Sequence, residues 1–284
     1  MRDSSWLDCP EIKIPISLHS ANLKAADFIL RMLKCLPVRP TTPAEKNHES
    51  RFATTSWSIV LAAGQGVSRE SRLALESLCE TYWLPVYAYA RRLAGSADEA
   101  EDLTQGFFVH LLEKDAIAKA TPDRGRFRAF LLTAMKNFVS NERDKGRAKK
   151  RGGGQNVLSL DFAVGESRCQ IQPSCEVTPE TIFERRWVLT LLDQVLDRLR
   201  KELVESGKDA QFEKLKGALA GEMTQPDYEQ AAVALGMTTA AVTQTAYRMR
   251  KRYRELFRQE VARTVETDAD VDDEIGRLLE LLNG

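Results

Sequence analysis

The sequence predicts an all-α protein, two small helical domains joined by a flexible linker, and three observations predict it. From Trp57 onward apolar residues recur at helical spacing, and apolar–polar alternation is scarce. Gly152-Gly153-Gly154 then breaks the pattern and opens a stretch, 152–178, rich in Gly, Ser, Gln and Pro, the composition of a linker. Thr178-Pro179, a cap residue followed by proline at the first helical position, restarts it. With 284 residues and 43% hydrophobic content, the chain can bury one or two sizeable cores.

The elements follow in order. Residues 1–53 carry Pro10, Pro15, Pro37, Pro40 and Pro43 around one short amphipathic stretch, Ala25–Leu36, too little for a core, and read as a flexible extension. Within a first domain, 54–151, one helix is expected over Ser71–Leu93, interrupted near Pro85. A second runs Ala97–Glu113 with Leu103, Phe107 and Leu111 on one face. A third runs from Phe127 to about Lys149, striped by Phe127, Phe130, Leu131, Ala134 and Phe138, and the set makes a bundle. After the linker, 179–264 forms a second helical domain. Its first helix carries Phe183, Trp187, Leu191, Leu192, Val195, Leu199 and Leu203 and stops at Gly207. Two shorter helices and one long basic helix complete it. The tail 265–284 sets Ile275, Leu278, Leu279 and Leu282 among seven acids, a stretch able to fold back onto the basic helix and restrain it.

Net charge is zero, 41 basic residues against 41 acidic, yet the charges are segregated. Residues 122–151 hold ten Lys or Arg against three acids, and 247–258 hold six against one. Acids concentrate in 98–115 and in the tail. Two cationic surfaces suit two DNA contacts, and an anionic one suits a protein contact. No apolar run approaches a membrane span, and the N-terminus lacks the basic, apolar and small-residue order of a secretory signal, so the expected location is the cytoplasm and no membrane partner is expected. Five cysteines without C-x-x-C spacing argue against a disulfide framework or zinc site, and no cofactor is expected. His19, His48 and His110 are scattered, and no phosphate-binding loop, H-E-x-x-H or G-x-S-x-G is present, so an enzyme is not expected.

The segment 227–242 has the internal logic of a helix-turn-helix. Asp227 is placed to cap its first helix, with Gln230 returning the bond. Ala231 and Ala232 are small where helices must approach. Gly236 can end the helix in a left-handed residue, and Thr238 can cap the next. In that second helix Val242, Ala246, Met249 and Tyr253 share one face, leaving Ala240, Gln244, Tyr247, Arg248 and Lys251 outward, with Thr243 and Arg250 at the margins. Gln and Arg can bond base edges in a major groove, while Arg and Lys also hold phosphate. The plain alternative is a solvated face of a helical hairpin.

Trp57-Ser-Ile-Val-Leu-Ala-Ala, Asp98-Glu-Ala-Glu-Asp-Leu-Thr-Gln-Gly-Phe-Phe108, Arg124-Gly-Arg-Phe-Arg-Ala-Phe-Leu-Leu132 and Asn141-Glu-Arg-Asp144, in that order ahead of a helix-turn-helix, resemble the extracytoplasmic-function sigma factors over about 54–264. The resemblance implies a region-2 helical bundle and a C-terminal region-4 helix-turn-helix. It implies that the chain binds core RNA polymerase, at the clamp coiled coil and the flap region, and directs promoter recognition, melting and initiation. Asp98, Glu101, Asp102, Gln105 and Phe108 would dock on polymerase. Arg126, Lys136, Asn137, Ser140, Asn141, Arg143 and Arg147 would contact the minus-ten element, Asn137 and Asn141 lying near where the family captures an unstacked base. Thr239, Ala240, Thr243, Gln244, Tyr247, Arg248 and Lys251 would read the minus-35 element. Gly106 departs from the family's helix-favouring residue, at a cost of about 1 kcal/mol that would weaken the docking helix. An anti-sigma protein or regulatory kinase is a further partner the resemblance leaves open, and the chain would work in the cytoplasm at the nucleoid. The competing readings are a stand-alone helix-turn-helix regulator with a helical partner-binding domain, and a helical adaptor that does not touch DNA.

Overall fold

A computed structural model of the chain describes residues 57–64, 68–113, 117, 120, 121, 125–148, 177–219, 221, 223–265, 267 and 269–283. The expected N-terminal extension and nearly all of the linker lie outside them. The described residues are all-α, with no strand among them. The helices are α1 (Trp57–Ala63), α2 (Arg69–Leu93), α3 (Ala97–Glu113), α4 (Phe127–Ala148), α5 (Pro179–Glu205), α6 (Asp209–Leu219), α7 (Gln225–Leu235), α8 (Thr239–Ala262) and α9 (Asp270–Asn283).

The described residues from Trp57 to Val188, with 263–265, form one compact unit, and the described residues from Leu189 to Ala262 and from Thr267 to Asn283 form the other. In the first, α2 packs on α1 and α3, and α4 closes the bundle. Ser68 caps α2 by accepting from the Ser71 N–H at 3.0 Å, and the buried Ser71 hydroxyl donates to the Ala63 carbonyl at 3.1 Å, fixing the turn out of α1. Phe127 is the aromatic centre, edge-on to Tyr82 at 5.6 Å and Trp57 at 6.2 Å and stacked on Phe130 at 5.7 Å.

One expectation changes here and another gains a reason. α2 runs unbroken through Pro85. An interior proline forfeits one backbone bond and costs about 3 kcal/mol, but every residue from 81 to 90 is buried, so packing holds the helix on both sides of it. Gly106 has a packing reason: a Cβ there would stand 3.1 Å from Phe138 Cζ. The missing side chain lets the Phe138 ring of α4 close against α3, where it meets Phe107 at 5.8 Å.

The first unit reaches into α5 as far as Val188, and Arg128 is one of its links to that helix. Its side chain is 1% exposed, 3.3 Å from the Glu184 carboxylate, and its guanidinium lies 4.4 Å from the centre of the Trp187 ring. A desolvated cation with a carboxylate and an aromatic face ties the first turns of α5 to α4.

In the second unit Leu191, Val195, Leu199, Phe212, Leu215, Leu256 and Phe257 are buried together with the inward face of α8. α5 ends in Gly207 at φ +68, where the Gly207 and Lys208 N–H groups bond back to Val204 and Leu203. The Tyr253 hydroxyl donates to the Leu192 carbonyl at 3.0 Å. Buried Glu260 pairs with Arg198 at 2.7 Å. The tail is the helix α9, which packs on α8 with Val271, Leu278 and Leu279 buried and Asp272 paired to Arg258. It does fold onto the basic helix, but at the later end: Thr243, Gln244, Tyr247, Arg248 and Lys251 stay exposed, so α9 does not cover them.

Candidate nucleic-acid interface

Helices α7 and α8 and the turn at Gly236 between them follow their sequence cues, with one reassignment. Thr224 is the cap of α7 and Asp227 is the third helical residue, the Thr224 N–H and hydroxyl each donating to its carboxylate at 2.6 Å. These bonds hold the Asp227 carboxyl below the usual carboxylate range, the Thr224 hydroxyl contributing most. Asp227 is therefore not the cap, and Gln230 is not its return partner. Pro226, in the first turn, fits this earlier start. Gly236 closes α7 at φ 63, ψ 32, with Met237 N–H bonding to Ala232 O at 2.9 Å, and Thr238 accepts from the Ala241 N–H at 3.2 Å to open α8. Val242, Ala246, Met249 and Tyr253 are buried. Ala240, Thr243, Gln244, Tyr247, Arg248 and Lys251 are exposed, and Thr239 is half-buried.

The cationic block on α8 is smaller than a count of its charges implies. Arg252 forms a two-pronged pair with Glu202 at 2.8 and 2.9 Å, which holds its proton more tightly, and Arg258 serves Asp272. Arg248 and Lys251 are the exposed cations of the outward face.

On α3, in the first unit, Ser96 caps the helix by accepting from the Glu99 N–H at 3.1 Å, and Glu99 reaches back to the Gly95 N–H at 2.7 Å. Asp98 and Asp102 are exposed, with Glu101 and Gln105 half-buried beside them on the same face. Phe108 is not on that surface. It is 4% exposed and 5.8 Å from Phe107, because α3 is buried against both α2 and α4 and two adjacent phenylalanines serve the two sides.

On α4, Lys136, Asn137, Ser140, Asn141 and Arg143 form one continuous exposed strip opposite the buried Leu131, Met135, Phe138 and Val139. Arg126 is half-buried at the start of the helix, its carbonyl accepting from Ala129 at 3.0 Å. Arg147 lies in the last turn of α4, and its side chain is outside the described residues. The strip borders an open cleft of about 280 Å³ lined by Tyr89, Leu93, Lys136, Ser140, Arg143 and Glu180. Arg143 donates to the Leu93 carbonyl at 3.3 Å, and Lys136 Nζ stands 2.9 Å from Glu180 Oε1. That bond, with the Glu180 residue's own N–H, lowers the Glu180 carboxyl, and burial pushes the Tyr89 phenol up. Glu180 was not a candidate from sequence. Its signal is an acid in the first turn of the helix that reopens the fold after the linker.

Among the described residues no group of three or more His, Cys, Asp or Glu is placed to hold a metal ion, and no helix is long and apolar enough to cross a membrane. Residues 78–149 match the family model of sigma-70 region 2. This span runs from within α2 to the end of α4 and contains both the acidic face of α3 and the polar strip of α4. No curated protein and no solved structure matches the chain. The match covers about a quarter of the chain and makes this part of the first unit similar to region 2 of the sigma-70 family.

Proposed function

We propose that the chain is a sigma factor of the extracytoplasmic-function type, with two promoter-contacting helices and no catalytic activity of its own. Residues 54–151 act as the polymerase-binding and minus-ten domain, 152–178 as the linker, and 179–264 as the minus-35 domain. The observation that carries this reading is the order of parts: a region-2 match over 78–149, followed in the same chain by a helix-turn-helix whose outward face is polar and exposed.

Asp98, Glu101, Asp102 and Gln105 dock on the clamp coiled coil; an acidic face that DNA repels suits a protein partner. Phe108 instead holds α3 in place. The α4 strip takes the separated minus-ten strand, its amides bonding base edges and its cations holding the backbone, with Asn137 and Asn141 as the candidates for base capture. On α8, Gln244 and Arg248 reach base edges of the minus-35 element, with Lys251 on phosphate and Thr239, Ala240, Thr243 and Tyr247 fitting the groove wall. The protein works in the cytoplasm, at the nucleoid.

Run-off transcription with purified core polymerase and a library of promoter templates tests this. Promoter-specific transcripts that depend on the added chain are expected. A chain that binds DNA yet never replaces sigma is instead the stand-alone regulator.

A further inference from the structure

We infer that Glu180 is a built-in stand-in for a DNA phosphate, occupying the cationic edge of the α4 strip until a strand displaces it. The inference rests on reading α4 as the strand-contacting helix, and goes beyond that reading by assigning a restraint to a residue outside it.

Four observations converge. Glu180 Oε1 lies 2.9 Å from Lys136 Nζ, the distance of a charge-assisted hydrogen bond, on the ammonium that a backbone phosphate would otherwise take. The backbone that presents the carboxylate is held. Pro179 fixes the backbone before it, the Thr178 hydroxyl accepts from the Thr181 N–H at 3.2 Å, and Glu184, one turn on, is locked to buried Arg128. The same cleft is edged by Ser140 and Arg143, one and two turns along α4 from Lys136, so the carboxylate sits within a row of groups suited to a sugar–phosphate backbone. Finally, Lys136 and Glu180 are 48% and 35% exposed, so the pair is open to a competitor from solvent. Such a pair is weak enough to exchange and strong enough to bias binding.

The strand must therefore replace one anion with another. While Glu180 stays, Lys136 is neutralised and a carboxylate faces the incoming phosphate; once it leaves, one more counterion-releasing contact forms.

The test compares the full-length wild type, Glu180→Gln, Lys136→Ala and the double variant, with and without core polymerase, against a labelled oligothymidine strand over a salt series. Circular dichroism melts check that each is folded. Glu180→Gln keeps the shape and drops the charge, and should bind roughly two- to fivefold tighter at low salt. Its log K against log salt should keep the wild-type slope, because the displaced state makes the same contacts, whereas Lys136→Ala should flatten it by about 0.7, the value of one single-strand phosphate contact. The gain in affinity should vanish when Lys136→Ala is added. Wild-type binding that Glu180→Gln leaves unchanged or weakens, with helicity intact, would overturn the inference alone. No binding by any of these folded proteins, with core polymerase present, would overturn the sigma-factor reading and the inference together.

Discussion

Replacing Arg128 by methionine should destabilise the first unit by about 3 kcal/mol. The side chain is 1% exposed, and its partner Glu184 is 14% exposed. Removing one member of a buried pair costs about 3–5 kcal/mol because the other charge is stranded. Glu184 reaches some water, which puts the loss at the lower end. The lost guanidinium over Trp187, at 4.4 Å, contributes on the order of 1 kcal/mol within that total. Methionine fills most of the volume, so little of the effect is cavity. Arg128→Lys keeps the charge but not the flat fork and should fall between the two. In Arg128→Met with Glu184→Gln the carboxylate that faced the lost guanidinium is neutral, and about 1–2 kcal/mol should return as a coupling energy. Urea unfolding followed by tryptophan fluorescence suits the measurement, because Trp57, Trp83 and Trp187 all belong to the first unit and no tryptophan follows Trp187 in the chain. A loss under about 0.5 kcal/mol, or two single losses that simply add, would refute the reasoning, since independent sites add and a coupled pair does not.

Other outcomes follow from the same geometry. Gly236→Ala, at φ +63, should lower stability by about 1 kcal/mol in thermal melts, the left-handed penalty of a side chain. Leu278→Ala, fully buried on α9, should cost about 2–5 kcal/mol, and truncation after Thr264 should lower the melting temperature of the second unit without any gain in promoter binding. In a variant with the other four cysteines replaced by serine, Cys79 should resist a thiol reagent at pH 8 until the protein is unfolded. Burial, with Glu80 and Glu76 nearby, raises this thiol from 9.0 to about 12, leaving a thiolate fraction of about one in ten thousand. Because the folded value is the higher one, this group adds nothing to pH dependence below about 9 and removes stability as pH rises from there to about 12. Arg248→Ala should weaken binding to upstream-element DNA by about 1–3 kcal/mol in filter or anisotropy assays while sparing core association, and Asp102→Arg should do the reverse. Equal loss of both activities in either variant would contradict the division of labour.

The helices that carry the candidate faces were legible in the sequence because their apolar spacing, caps and terminal glycines agree. Val242, Ala246, Met249 and Tyr253 are buried as the 3.6-residue period requires, and Gly207 and Gly236 end helices where expected. What was not legible depends on what each element packs against. Thr224-x-x-Asp227 and Asp227-x-x-Gln230 both satisfy the capping-box spacing, and only the true start of α7 chooses between them. Phe108 follows Phe107 by 100° around α3, and a helix buried on two sides claims both. Within one run of basic residues, Arg128 is turned inward and Lys136 outward, a distinction that charge counting cannot make. The Pro85 helix survives through burial of its neighbours, which local propensity does not report.

The alternation along α8 also bears on how the molecule could be re-targeted. Its anchoring residues and its outward residues are interleaved but disjoint: Val242, Ala246, Met249 and Tyr253 are sealed in, whereas Thr243, Gln244, Tyr247, Arg248 and Lys251 lie on the surface. Randomising those five surface positions together leaves every buried contact of the helix in place. On the proposed reading of α8 as a base-contacting helix, selection could then search new DNA sequences on a scaffold whose buried contacts are untouched.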